Sequence, residues 1–209
     1  MLRKMRVILA LPFILILAAC GKSQSVEKAV DPKIAASLEA FANRRIYNRL
    51  DKTVLGGIPD GDLEQAVIDY ATTKLEGHYD NEEVIVARLP AGVRALYLTW
   101  TVEAEVNNGG FNQYYYNTED KFAAAAEQAF EYFGATEHAA LMREANAIRA
   151  AEAESMKKYK DKGTIEAFSE SYEHSKLGPL DGRFYKLSEN LSQLRIARIR
   201  ATPEQFTGE

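Results

Sequence analysis

From Pro32 onward, apolar residues recur at intervals of three and four, and alternating apolar and polar runs are nearly absent. Val84-Ile85-Val86 is the single strand-like scrap. The pattern predicts an all-α chain, a single-domain bundle of about six to seven helices over residues 31–205. Asp31-Pro32 suits an N-cap and first turn, opening a helix through Leu38, Phe41, Ile46 and Leu50 that breaks at Gly56-Gly57-Ile58-Pro59. Asp60 or Asp62 can cap a second helix carrying Leu63, Val67, Tyr70 and Leu75, closed by Gly77. A third runs from Val93 to about Val106 with two apolar stripes: Val93, Leu96, Tyr97, Trp100 and Ala104 on one side, and Leu98, Val102 and Val106 on the other. A helix apolar on two sides belongs at the centre of a bundle.

Thr118, followed by Glu119 and Asp120, reads as the N-cap of the next helix, where Phe122, Ala126, Phe130 and Phe133 keep helical spacing up to Gly134. Thr136 opens a helix that extends to Gly163, and Thr164 to about Lys176 a shorter one. Gly178 to Gly182 reads as a turn, and a last helix from Phe184 to about Ala201 carries Leu187, Leu191 and Leu194.

The first thirty residues follow a different logic. MLRKMR supplies three positive charges, and an uncharged run of 13 residues from Val7 to Ala19 follows, ending in Leu17-Ala18-Ala19-Cys20. This is the layout of a signal peptide. The run is shorter than the roughly 20 residues a membrane-spanning helix needs. Leu-Ala-Ala-Cys resembles the lipobox of bacterial lipoproteins, which implies cleavage after residue 19 and acylation of Cys20, the single cysteine of the chain. Residues 20–30, small and polar, then serve as a tether. The expected address is a bacterial membrane lipoprotein facing the periplasm or cell surface, with the membrane as a partner through Cys20.

Charge narrows the functional classes. The whole chain carries a net −4, and removing residues 1–19 leaves 23 Lys and Arg against 30 acids. That balance opposes nucleic-acid binding, which calls for a basic surface. His78, His138 and His174 stand alone in their segments, and Gly109-Gly110 lacks the third glycine and lysine of a phosphate cradle. No metal and no cofactor are expected, and no catalytic set is assigned.

The remaining candidate chemistry lies in EVNNGGFNQYYYN, residues 105–117, where five amides and four aromatics crowd around two glycines. Trp100, Glu103, Glu105, Asn107, Asn108, Gly109, Gly110, Phe111, Gln113, Tyr114, Tyr116 and Asn117 form a motif with two readings. As structure it is a helix-to-helix connection: the glycines reverse the chain, Phe111 and Tyr115 pack inward, and Tyr114 and Tyr116 span the rim. As function, tyrosines interleaved with amides suit a surface that stacks on sugar rings or peptide. Glu103 and Glu105 point about 200° apart on a helix, so they do not flank one bond as a glycosidase pair.

The run Leu89-Pro90, Tyr97, Glu103 to Asn108, Gly109-Gly110-Phe111, Gln113-Tyr114 and Asn117, with Phe133-Gly134-Ala135, Leu180-Asp181, Phe184-Tyr185 and Ile199, resembles a bacterial domain-of-unknown-function family that includes the C-terminal domain of a DNA-mimic protein. The likeness covers about residues 60–201. It implies an all-helical fold and, for most members, no assigned activity. For the DNA mimic it implies an acidic surface that occupies a transcription factor's DNA site. A lipoprotein signal and a diluted negative charge depart from that model, so the fold is carried over and the mimicry is not. The expected function is a lipid-anchored, non-enzymatic helical binding domain with a protein or envelope-component ligand. The alternatives are a cell-wall glycan or peptide enzyme with Glu103 as acid/base, and an acidic inhibitor of a basic protein.

Overall fold

The computed structural model describes residues 31–208; the signal peptide, Cys20 and the tether lie outside the described residues. Ten α-helices account for the regular structure there, with two short 3-10 turns at Tyr79–Asn81 and Pro203–Phe206. They are α1 (Pro32–Ala42), α2 (Lys52–Gly57), α3 (Asp60–Leu75), α4 (Glu82–Arg88), α5 (Ala91–Thr118), α6 (Ala123–Phe133), α7 (Thr136–Lys162), α8 (Ile165–His174), α9 (Gly178–Phe184) and α10 (Leu191–Ala201). The all-α class stands. Among the described residues, no helix is long and apolar enough to cross a membrane. Contacts divide the chain into a unit that ends at Arg45, carrying α1, and a unit from Ile46 onward, carrying the rest.

The first unit is capped as its sequence suggests, with the Asp31 carboxylate accepting the Lys33 N–H and Pro32 in the first turn. The helix stops at Ala42 instead of running to Leu50. Arg44 donates to the Phe41 carbonyl, which satisfies one of the orphan acceptors of a helix end.

In the second unit, Leu50 is buried and pairs in antiparallel fashion with Gly208, each backbone N–H donating to the other's carbonyl at 3.0 and 2.9 Å. Val84-Ile85-Val86 proves helical. Its periodicity is that of a helix with one side buried, Val86 being covered while Val84 is exposed, and Glu82, Glu83 and Arg88 sit at the ends the macrodipole favours. The Gly178 to Gly182 stretch also winds into a helix, because Pro179 occupies a first-turn position where no backbone donor is needed. Leu180 and Phe184, one turn apart, are then both buried. Asn190 caps α10 by accepting the Gln193 N–H, so the last helix begins at Leu191 rather than at Phe184.

Helix α5 organises the unit. Its first half contributes Val93, Leu96, Tyr97 and Leu98 to a core shared with α3, α4 and the turn at Phe206. Its second half contributes Val102, Val106, Phe111, Tyr114 and Tyr115 to a second core shared with α6, α7 and α9. Each fully covered Leu, Val or Phe contributes roughly 1.5–3 kcal/mol, so a helix serving two cores is the element the bundle can least lose. The two stripes read from the sequence are therefore real, although Trp100 and Ala104 are only partly covered.

The connection after α5 lies later than the sequence suggests. Thr118 is the last residue of α5, and its hydroxyl donates back to the Tyr114 carbonyl. Glu119 and Asp120 take positive φ values of 54 and 64°, and Phe122 stands at the N-cap of α6. Asp120 is held there by a two-pronged pair with Arg149 on α7, at 2.6 and 2.9 Å. Gly134 ends α6 with φ 75°, as a left-handed C-cap does.

Candidate functional site

The motif at 105–117 is a helix with a break in it, rather than a loop between helices. Gly110 has φ 77° and ψ 179°, a combination open essentially to glycine alone, and Gly109 beside it, at φ −161° and ψ 26°, is also non-helical. The break keeps the chain on course while releasing backbone groups that an unbroken helix would bond internally. Side chains from α8, α9 and the residue after it collect them. The Phe111 N–H donates to Asp181 Oδ1 at 2.8 Å. Tyr185 Oη donates to the Val106 carbonyl at 2.7 Å, and Tyr172 Oη donates to the Gly109 carbonyl.

These partners have protonation states that suit the work. Burial, with the Asp181 and Glu105 charges adding, pushes the Tyr172 phenol up to about 12, so it remains a donor at neutral pH. Burial also raises Asp181, and the Phe111 N–H opposes that rise. Packing follows the same residues: Phe111 meets the edge of Phe184 at a ring separation of 5.9 Å.

Glu105 anchors the amides of the motif. Its Oε2 accepts from Gln113 Nε2 and from Asn117 Nδ2, both at 2.7 Å, tying the two halves of α5 together across the break. The acid that binds the amides of the motif is thus Glu105, not Glu103.

Glu103 turns to Arg195 of α10 instead. Arg195 is 1 % exposed, and its Nη1 donates to Glu103 Oε2 at 2.7 Å and Glu64 Oε1 at 2.5 Å, while Nε donates to Thr99 Oγ1 at 3.1 Å. Its other terminal nitrogen is buried and has no partner. A carboxylate held by a buried guanidinium is engaged in an ion pair, which is a poor starting point for proton transfer.

The remaining motif residues separate. Tyr114 is fully buried with no partner for its hydroxyl, which removes it from the rim. Trp100 packs partly buried against the first core. Asn107, Asn108, Tyr116 and Asn117 face solvent. A cleft in the second unit is lined by Asn112, Tyr116, Arg149, Met156, Tyr159, Phe168 and Ser171, from α5, α7 and α8, and none of Trp100, Glu103, Asn107, Tyr114 and Asn117 is among them. Among the described residues, no cluster of three or more His, Cys, Asp or Glu is placed to hold a metal ion.

Several residues that build this region escape the sequence reading. Arg195 left a signal, since it falls with Leu191 and Ile199 on a stripe of i, i+4, i+8 that is otherwise apolar. Asp181 stood within the Leu180-Asp181 part of the family resemblance without a role assigned to it, and Tyr172 left no signal beyond its type. Glu189 is another: it accepts the N–H groups of Glu137 and His138 at 2.8 and 3.0 Å and contacts His138 Nδ1 at 2.8 Å, capping α7 from the α9–α10 connection. Burial would raise its carboxyl, but those hydrogen bonds outweigh it and hold the group below its ordinary 4.5.

A depressed carboxyl contributes stability that is present above its unfolded pKa and lost as pH falls through the folded value. Glu189→Gln is therefore expected to lower unfolding stability at pH 7 by about 1–2 kcal/mol, the scale of a lost charged cap. The gap to the parent should close below the depressed value, where the parent's own carboxyl is protonated. Denaturant midpoints at pH 7 and pH 3 check this, and an equal deficit at both would contradict it.

The fold and this region define a class: an all-α bundle whose central helix is broken at a diglycine and held across the break by side chains of distant helices. The chain belongs to the DMP19-like protein family, a domain-of-unknown-function family whose profile matches residues 87–202, from the end of α4 to the end of α10. No curated protein and no solved structure matches it.

Proposed function

We propose that this chain is a lipid-anchored, non-enzymatic interaction domain of the bacterial cell envelope, which meets a protein or an envelope component through the rim of the helix break. The observation that carries the reading is the division of labour within the motif. Its acids and freed backbone groups are occupied by the fold, as Glu105 is by Gln113 and Asn117 and the Phe111 N–H by Asp181, whereas Asn107 and Asn108 are exposed and Tyr116, its ring against Phe168, keeps one side open. Tyr185 joins them, 57 % exposed with its hydroxyl on the Val106 carbonyl. Amides and tyrosines on a fixed backbone offer hydrogen bonds and flat apolar area at low entropic cost, which favours recognition.

The enzyme reading loses support because Glu103 is paired with Arg195 and does not line the cleft formed by α5, α7 and α8. The acidic-inhibitor reading loses support because acids alternate with cations: Arg143 bridges Glu127 and Glu131, Arg149 holds Asp120, Arg183 holds Glu144, and Arg200 holds Asp60. A phosphate-like array needs unpaired carboxylates in a row.

The address rests on the Leu17-Ala18-Ala19-Cys20 pattern. Cys20→Ala should abolish incorporation of a metabolic lipid label, and unchanged labelling would refute the anchor. The rim is tested by affinity capture from detergent-solubilised envelope with the parent chain and with Asn107→Arg and Asn108→Arg. A specific partner should be retained by the parent and lost from both variants. Capture that is indifferent to the rim would contradict the reading.

A further inference from the structure

The cleft between α5, α7 and α8 holds two enclosed polar side chains that the fold leaves short of partners. Asn112 is 7 % exposed. Its Nδ2 donates to Ser171 Oγ at 3.1 Å, and Ser171 Oγ donates onward to the Phe168 carbonyl at 2.6 Å. A hydroxyl that has given its one proton can only accept, so the Asn112 amide is fixed with its nitrogen toward Ser171. Among the described residues, no donor reaches its Oδ1. Tyr159 is 3 % exposed, and its hydroxyl is buried without a partner. An enclosed polar group left unpaired costs free energy, which a complementary group on a ligand restores. The rest of the lining is mostly apolar: Met156 and Phe168 supply wall, and the Tyr116 ring, 4.4 Å from that of Phe168, is partly exposed at the edge. Arg149 lines the cleft too, but Asp120 engages its guanidinium, so no ligand charge is assigned to it.

We propose that this cleft binds the acetamido group of an N-acetylated amino sugar in an envelope glycan. The acetamide carbonyl accepts from Tyr159 Oη, its N–H donates to Asn112 Oδ1, and its methyl packs on Met156 and Phe168. The pyranose ring lies against the open side of Tyr116. A secondary amide is neutral and carries one donor and one acceptor, which complements an unpaired acceptor and an unpaired donor among apolar walls. A peptide bond has the same chemistry but carries chain on both sides. An acetamido group ends in its methyl and enters a narrow cleft end-on, and the aromatic edge suits the C–H face of the sugar behind it. The proposal names the ligand of the proposed function and rests on its envelope setting; Tyr116 belongs both to the cleft and to the rim.

The test is titration of the full-length protein, in a detergent without a sugar headgroup, with tri-N-acetylchitotriose, read by calorimetry and saturation-transfer NMR. The acetyl methyl should receive the strongest saturation. Cellotriose, which has a hydroxyl at each acetamido position, should bind about ten-fold more weakly, the scale set by leaving the two polar groups unpaired. Tyr159→Phe deletes a hydroxyl that the fold does not use, so it should weaken tri-N-acetylchitotriose about ten-fold and leave thermal unfolding unchanged.

Equal affinity for the two sugars, or a folded Tyr159→Phe variant that binds as the parent does, overturns the acetamido assignment. Binding of N-acetyl-dialanine methylamide without binding of the sugar overturns it in favour of a peptide, and a folded parent that binds none of the three probes overturns it outright. The proposed function fails by a different result: envelope capture that survives Asn107→Arg and Asn108→Arg, while tri-N-acetylchitotriose still binds, refutes the rim and upholds the cleft.

Discussion

Gly110→Ala is expected to lower the stability of the folded domain by about 4 kcal/mol, combining a backbone conformation costly to any residue with a side chain and the forced displacement of a packed neighbour. At φ 77° and ψ 179° a Cβ on residue 110 would overlap the Asp181 carboxylate, which itself holds the Phe111 N–H. Relieving the overlap means giving up that hydrogen bond, so neither relaxation route is free. Gly109→Ala separates the two causes. Its φ of −161° lies outside the left-handed region, and its Cβ would meet the movable end of Gln113. The expected cost is about 1 kcal/mol, the worth of the Gln113 to Glu105 bond. Chemical denaturation of the two variants checks the order; equal costs would mean that the break is not held by its conformation.

Arg195→Ala comes next, at about 4 kcal/mol, in the range for truncating a large, fully buried side chain to alanine. The guanidinium is enclosed while Glu64 and Glu103 are 19 and 35 % exposed, so after its removal the carboxylates turn toward water and most of the loss comes from the vacated volume between α3, α5 and α10. Arg195→Met keeps most of the buried stem while deleting the guanidinium with its bonds to Glu64, Glu103 and Thr99, and should recover about half of the loss. Glu103→Gln should cost about 1 kcal/mol, since its amide oxygen can still accept from Arg195. A Glu103→Gln variant as unstable as Arg195→Ala would relocate the weight of this cluster to the acid.

The sequence was most informative where periodicity alone decides the structure. The double stripe on α5 followed from Val93, Leu96, Val102 and Val106, and both of its sides are buried. It was least informative where a local signal was overruled by a distant partner. Gly109-Gly110 is a strong turn signal, but the turn does not form, because Asp181, Tyr172 and Tyr185 bond the groups a kinked helix releases, and they lie some 60 to 80 residues further on. Thr118 looked like an N-cap because Glu119 and Asp120 follow it; Arg149, 29 residues beyond Asp120, instead stabilises two left-handed residues there. Of the candidate site, the importance of the motif was legible, whereas the bonds from an acid to its amides were not. Glu103 and Glu105 differ only in the face they occupy, and it is Arg195, a distant residue, that claims the first and leaves the second to Gln113 and Asn117.

The central claim is that the diglycine motif is a helix break closed by the protein's own side chains before any ligand arrives. Amide hydrogen exchange at Phe111 in the isolated protein tests it most directly. Closure by Asp181 predicts that this N–H exchanges only through opening of the second core, with a protection factor close to that of Val106 on the same helix. Exchange within about ten-fold of the unstructured rate would contradict the account, and would identify residues 109–113 as a segment left open for a partner to close.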